Sequence, residues 1–68
     1  MAKMTLRAAR VNAELGQKDA AKRLNVSNKT LCAWERGKSF PKADKIPAIC
    51  ALYGISFDDL IFLTDKPL

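Results

Sequence analysis

Backbone breakers fall so often along this chain that no element in it can be long. Gly16, Asn25, Gly37, Pro47 and Gly54 cut the 68 residues into short stretches. Glycine and asparagine tolerate the left-handed backbone that ends a helix, and proline has no amide proton to continue one. Between the breakers apolar residues recur every three or four positions, with no useful length of strand-like alternation. The expectation is an all-α, compact five-helix domain. The first helix runs from Thr5 to Glu14, with Leu6, Ala9, Arg10 and Ala13 on one face. A second runs from Gln17 to Leu24, where Ala20, Ala21 and Leu24 share a face. Ser27 stands where an N-cap belongs, so the third runs from Asn28 to Arg36 and stops at Gly37.

Pro47 fixes the fourth helix, because proline is accepted only in a first turn. With a cap at Asp44, that helix spans Lys45 to Tyr53 and ends at Gly54. In Ser56-Phe57-Asp58-Asp59 an Asp takes the usual Glu/Gln place of a capping box, and Ile55 and Leu60 occupy the staple positions. These signals predict a fifth helix to about Leu63, with a tail from Thr64 that frays around Pro67.

A chain of this length has core for a single domain. At 49% hydrophobic and 28% charged residues it is too apolar to remain disordered. No apolar run approaches the ~18 residues of a membrane span, and Met1-Ala2-Lys3-Met4-Thr5 leads into no signal-peptide block, so a cytoplasmic location is expected. Two cysteines and no histidine are too few for a disulfide framework or a structural zinc site. No metal or cofactor is expected. Neither the thiols nor the scattered carboxylates form a constellation with an evident base, which argues against an enzyme.

Charge is divided along the chain. Residues 1–43 hold ten Lys/Arg against Glu14, Asp19 and Glu35, a balance of +7, whereas residues 44–68 hold two against four, a balance of −2. A basic half of this kind suits a polyanionic partner, with an ordinary solvated face as the plainer reading.

Two helices joined by a three-residue gap, the second polar and basic, describe a helix-turn-helix over residues 17–36. Ala21 permits close approach of the two helices, and Leu24, Val26, Leu31 and Trp34 supply the apolar contacts between them. Leu6-Arg7, Arg10, Leu15, Gln17, Ala21, Trp34-Glu35-Arg36-Gly37, Pro41, Leu52-Tyr53-Gly54-Ile55-Ser56 and Asp59-Leu60 occur in that order. Across residues 4–63 the chain resembles the Cro/CI (XRE) family of helix-turn-helix regulators. Asn25 stands where that family usually has a turn glycine, and Glu14 and Gly16 replace its usual Gly and Ser/Thr around the first turn. Ala20 replaces a common Leu. The resemblance implies a lambda-repressor-like fold, a double-stranded DNA partner and an ion pair between Arg10 and Glu35.

Helix geometry supplies a reading face without the family. At ~100° per residue, Trp34 and Glu35 lie within about 60° of Leu31, and Lys29, Ala33 and Arg36 lie near the opposite side. Asn28 can read adenine, Lys29 guanine and Ala33 a thymine methyl. The plainer roles are capping for Asn28 and a phosphate contact for Lys29. Ser27 and Thr30 share the first turn and belong to the same DNA-contacting set. Gln17 opens the second helix, suited to a phosphate, and Arg36, Lys38, Ser39 and Lys42 surround the far end of the third. The alternative for these last is a solvated loop. Phe40 and Trp34 read as packing residues, Cys50 as a small buried hydrophobe and Cys32 as partly exposed.

Ile61-Phe62-Leu63 is too apolar for one face of a helix to bury, so residues 56–68 are expected to form a dimerisation helix and tail, Leu60 and Ile61 turned inward and Phe62 outward. A larger internal core is the alternative. The functional expectation is a sequence-specific DNA-binding regulator, a repressor acting as a homodimer on a pseudo-palindromic operator. It would resemble the stand-alone regulators of phages and bacterial chromosomes. A protein-interaction module on the same fold, antitoxin-like or an anti-repressor partner, is the alternative.

Overall fold

The computed structural model describes residues 3–62. Four α-helices lie among them: α1 (Leu6–Asn12), α2 (Gln17–Arg23), α3 (Asn28–Arg36) and α4 (Ile46–Tyr53). Two 3-10 turns, Ala43–Lys45 and Phe57–Asp59, and two short strands, β1 (Met4–Thr5) and β2 (Leu60–Ile61), complete the order.

Each boundary has a local cause. The Thr5 hydroxyl accepts the Ala8 amide at 3.1 Å, so Thr5 caps α1 from outside. At the other end Glu14 takes a left-handed φ of 61°, and α1 stops two residues before it. Gly16 caps α2, and Asn25 (φ 59°) turns the chain after it. The Lys45 ammonium, reaching across from the later 3-10 turn, donates to the Leu24 carbonyl at 3.0 Å and serves a C-terminal acceptor of α2. Ser27 and Gly37 (φ 79°) bound α3 where the sequence places them.

The helix expected from Lys45 begins one residue later, after a 3-10 turn in which Lys45 donates its amide to Lys42 O at 2.9 Å. The i→i−3 bond and the Lys45 backbone at φ −87°, ψ −20° tighten this first turn to 3-10, so regular α-helix starts only at Ile46. Gly54 (φ 65°) ends α4 as expected.

The fifth helix does not form. Ser56 Oγ donates to Asp59 Oδ2 at 3.1 Å, so the capping-box side chains do meet, but only one 3-10 turn follows. The chain then extends into β2, parallel to β1, with Met4 opposite Leu60 and Thr5 opposite Ile61. Extended backbone sends successive side chains to opposite sides. Leu60 is accordingly buried, Ile61 is 40% exposed and Phe62 is half-buried. This corrects the inward placement of Ile61 and the outward placement of Phe62. Leu63 and the tail lie outside the described residues.

The core draws Leu6 and Ala9 from α1, Ala20 and Ala21 from α2, Leu31 and Trp34 from α3, and Ile49 and Tyr53 from α4, closed by Leu24 and Leu60. Leu31 and Ile49 are fully buried at its centre. Cys50, expected inside, is only half-buried against it. No helix among the described residues is long and apolar enough to cross a membrane.

Candidate nucleic-acid interface

Burying Leu31, Trp34 and Glu35 turns the other side of α3 outward. Asn28, Lys29 and Arg36 are exposed there, with Ala33 and Cys32 half-buried among them. These five side chains and Lys38 line one shallow hollow. Ser39 and Lys42 are exposed on the loop that follows. The Ser27 hydroxyl accepts the Thr30 amide at 3.0 Å and donates to the Thr30 hydroxyl at 2.9 Å. This pair of hydrogen bonds fixes the first turn, which leaves the Asn28 and Lys29 side chains free to point outward.

Behind this surface an ionic network holds α3 to α1 and α2. Arg10 Nε donates to Glu35 Oε2 at 2.7 Å and Arg10 Nη2 to Glu35 Oε1 at 3.3 Å, with both residues only 8% exposed. A third guanidinium donor, Nη1, reaches the Leu15 carbonyl at 2.9 Å. The hydrogen bonds to Glu35 raise the Arg10 pKa above its already high ordinary value, against the opposing effect of burial. Gln17, expected at a phosphate, is half-buried and donates Nε2 to Glu35 Oε1 at 3.1 Å. One of its two amide protons therefore belongs to the network.

The Helix-turn-helix domain family matches residues 4–61, from β1 through β2. The chain belongs to the helix-turn-helix domain family. No curated protein and no solved structure matches it. Within this helix-turn-helix domain, α2 and α3 follow one another with residues 24–27 between them. Of the ten residues selected from sequence, Asn28, Lys29, Ala33, Arg36 and Lys38 line the α3 hollow, and Ser27 and Thr30 bond to each other in the first turn of α3. Ser39 and Lys42 are exposed on the following loop, and Gln17 is at the Glu35 network.

Three features of the domain escape the sequence reading. Cys32 lies within the α3 hollow, as its i+4 spacing from Asn28 requires. Lys18 and Lys22 stand beside Asn25, Ser27 and Asn28 in a second hollow, signalled by their own i, i+4 spacing on α2. Tyr53 is buried next to the ion pair, and its hydroxyl has no hydrogen-bond partner among the described residues. Desolvation, and secondarily the Glu35 charge, pushes this phenol up to about 12. Among the described residues, no three His, Cys, Asp or Glu side chains cluster as a metal site requires.

Proposed function

We propose that this protein is a sequence-specific transcriptional regulator of the Cro/CI type that binds double-stranded DNA through α3. The observation that carries the reading is the shared hollow on α3, where Asn28, Lys29, Ala33, Arg36 and Lys38 meet on one surface. A helix fits the major groove. There Asn28 reads adenine, Lys29 guanine and Ala33 a thymine methyl, while Arg36, Lys38, Ser39 and Lys42 hold flanking phosphates. Repression follows more directly than activation, since occluding a promoter needs binding alone. The reading is of a binding protein rather than an enzyme.

A homodimer on a pseudo-palindromic operator is part of the proposal. Phe40 and Phe57 are 58% and 57% exposed, and with Pro41, Ala43, Ile46 and Phe62 they line an apolar groove. The Phe62 ring lies 6.4 Å from that of Phe40 and 5.9 Å from that of Phe57. Exposed Lys42 stands in sequence between the groove residues Pro41 and Ala43, and exposed Asp58 follows the groove residue Phe57. A two-fold contact sets each residue's surroundings against those of the other, so this distribution of charge is matched by a second copy of the same chain.

Selection from random duplex DNA, with binding measured at two salt concentrations, tests the reading. A symmetric motif is expected. Asn28→Ala or Lys29→Ala should cost about 1–3 kcal/mol on the preferred site and flatten preference at one base per half-site. Binding that is non-specific at every salt concentration would favour the interaction module instead, with the aromatic groove as its docking face.

A further inference from the structure

The structure assigns Lys45 as a positioning residue for DNA binding: its side chain ties the loop after α3 to the turn that presents α3. The assignment rests on the DNA-binding reading above and concerns a residue which that reading leaves out. The Lys45 ammonium donates to the Leu24 carbonyl at 3.0 Å, across 21 residues of sequence. Its backbone amide donates to the Lys42 carbonyl at 2.9 Å. A single residue thus holds Lys42, an exposed cation on the loop, and Leu24, which precedes the Ser27 cap of α3 within the same turn.

Both ends of this link are anchored. The Leu24 side chain is buried in the core, and the Asn25 and Val26 amides donate back to the Lys22 and Ala21 carbonyls at 3.1 and 3.0 Å, so the turn is fixed around the carbonyl that Lys45 takes. On the other side Lys45 leads directly into α4, whose Ile49 is fully buried. Lys45 is itself half-buried, which shields its ammonium in part from water and salt. Residues 37–42, which include Lys38, Ser39 and Lys42, belong to no helix or strand. One end of this loop is fixed by α3 and the other by Lys45. Base readout by Asn28 and Lys29 needs the loop's phosphate contacts in register with it, whereas neutralising phosphates on an arbitrary duplex does not. Lys45 therefore acts on selected-site binding through the placement of other residues, with no contact of its own to DNA.

The test compares wild type, Lys45→Met and Lys45→Arg on selected and scrambled duplexes across a salt series, well below the melting temperature of each protein. Met keeps the apolar stem and removes the donor, while Arg keeps a charged donor of similar reach. Affinity of Lys45→Met for the selected site should fall about tenfold, the cost of ordering roughly one residue's backbone at the moment of binding. Affinity for scrambled duplex and the slope of log affinity against log salt should stay as in wild type, and Lys45→Arg should restore selected-site binding. A bond that only supports the fold would lower the melting temperature of Lys45→Met and leave its selected-site affinity unchanged, and this result would overturn the assignment. A fall by the same factor on both duplexes, with a slope smaller by roughly 0.9, would also overturn it, since Lys45 would then be a phosphate contact. Should Lys45→Met not fold, Lys45→Gln, whose shorter side chain ends before the carbonyl, replaces it with the same outcomes. A wild type that selects no motif would instead sink the DNA-binding reading on which the assignment rests.

Discussion

The Glu35 carboxylate accepts from three N–H donors on two other parts of the fold, Arg10 twice and Gln17 once. Removing it strands a guanidinium that is 8% exposed, with only the Leu15 carbonyl left. Glu35→Ala should therefore destabilise the domain by about 3 kcal/mol, and the Arg10→Ala/Glu35→Ala double variant should recover part of that loss. A denaturation curve for Glu35→Ala that overlays wild type would refute this. Tyr53 is the opposite case, a buried hydroxyl without a partner among the described residues. An unmet buried donor costs roughly 1–3 kcal/mol, so Tyr53→Phe should raise stability by about 1 kcal/mol. Its phenol, raised from 10.0 to about 12, resists ionisation in the folded state. That contribution is complete below pH 10 and is lost as pH rises through 12. Because Tyr53 is the sole tyrosine, phenolate absorbance should report its ionisation within this window, and Tyr53→Phe should unfold less steeply with base. The Arg10–Glu35 pair is legible in the sequence because the resemblance assigns both residues. The place of Gln17 is not, because helix position says where a side chain starts and leaves open which of two polar partners it takes.

At the scale of elements, the helices are legible wherever a short-range device bounds them. Ser27 and Gly37 enclose α3, and Gly54 ends α4, each by chemistry within one turn. What local signals cannot supply is the pairing of residue 4 with residue 60. Nothing in a window around Ser56 reports a strand at the other end of the chain. The apolar run that overfills a helix face fits extended backbone, and this mismatch is the one sign of it. The end of α1 offers a direct test of the same boundary logic. Glu14 holds φ 61°, a conformation that costs a residue with a Cβ roughly 1–2 kcal/mol and glycine far less, although glycine also loses more chain entropy on folding. Glu14→Gly should yield a net gain of about 0.5–1 kcal/mol. For a domain of this size, each kcal/mol moves the melting temperature by about 4–8 °C. A melting temperature that falls on this substitution would show that the Glu14 side chain stabilises the turn in some other way.

For the whole molecule, the division of charge acquires a spatial meaning: Lys18, Lys22, Lys29, Arg36 and Lys38 gather around α3, while Asp58 and Asp59 lie on the turn beside the aromatic groove. One face suits a polyanion, and the aromatic groove is the face proposed for a second copy of the chain. The domain measures 31 × 29 × 21 Å. Two touching copies therefore stand about one domain width apart, comparable with the ~34 Å between successive major-groove faces on one side of DNA. Phe57 is the residue to alter. It is more exposed than Phe62, which is partly held by the core, and it sits on a single turn whose backbone does not depend on its ring. Phe57→Glu would set a carboxylate against an apolar surface and against its own symmetry mate, at a cost no partner group offsets. The variant should melt as wild type does but sediment as a monomer, with weaker operator binding because dimer formation no longer contributes. Sedimentation decides the matter. A Phe57→Glu protein that still runs as a dimer would remove the groove from the interface, and a wild type that is monomeric both free and on DNA would remove the dimer.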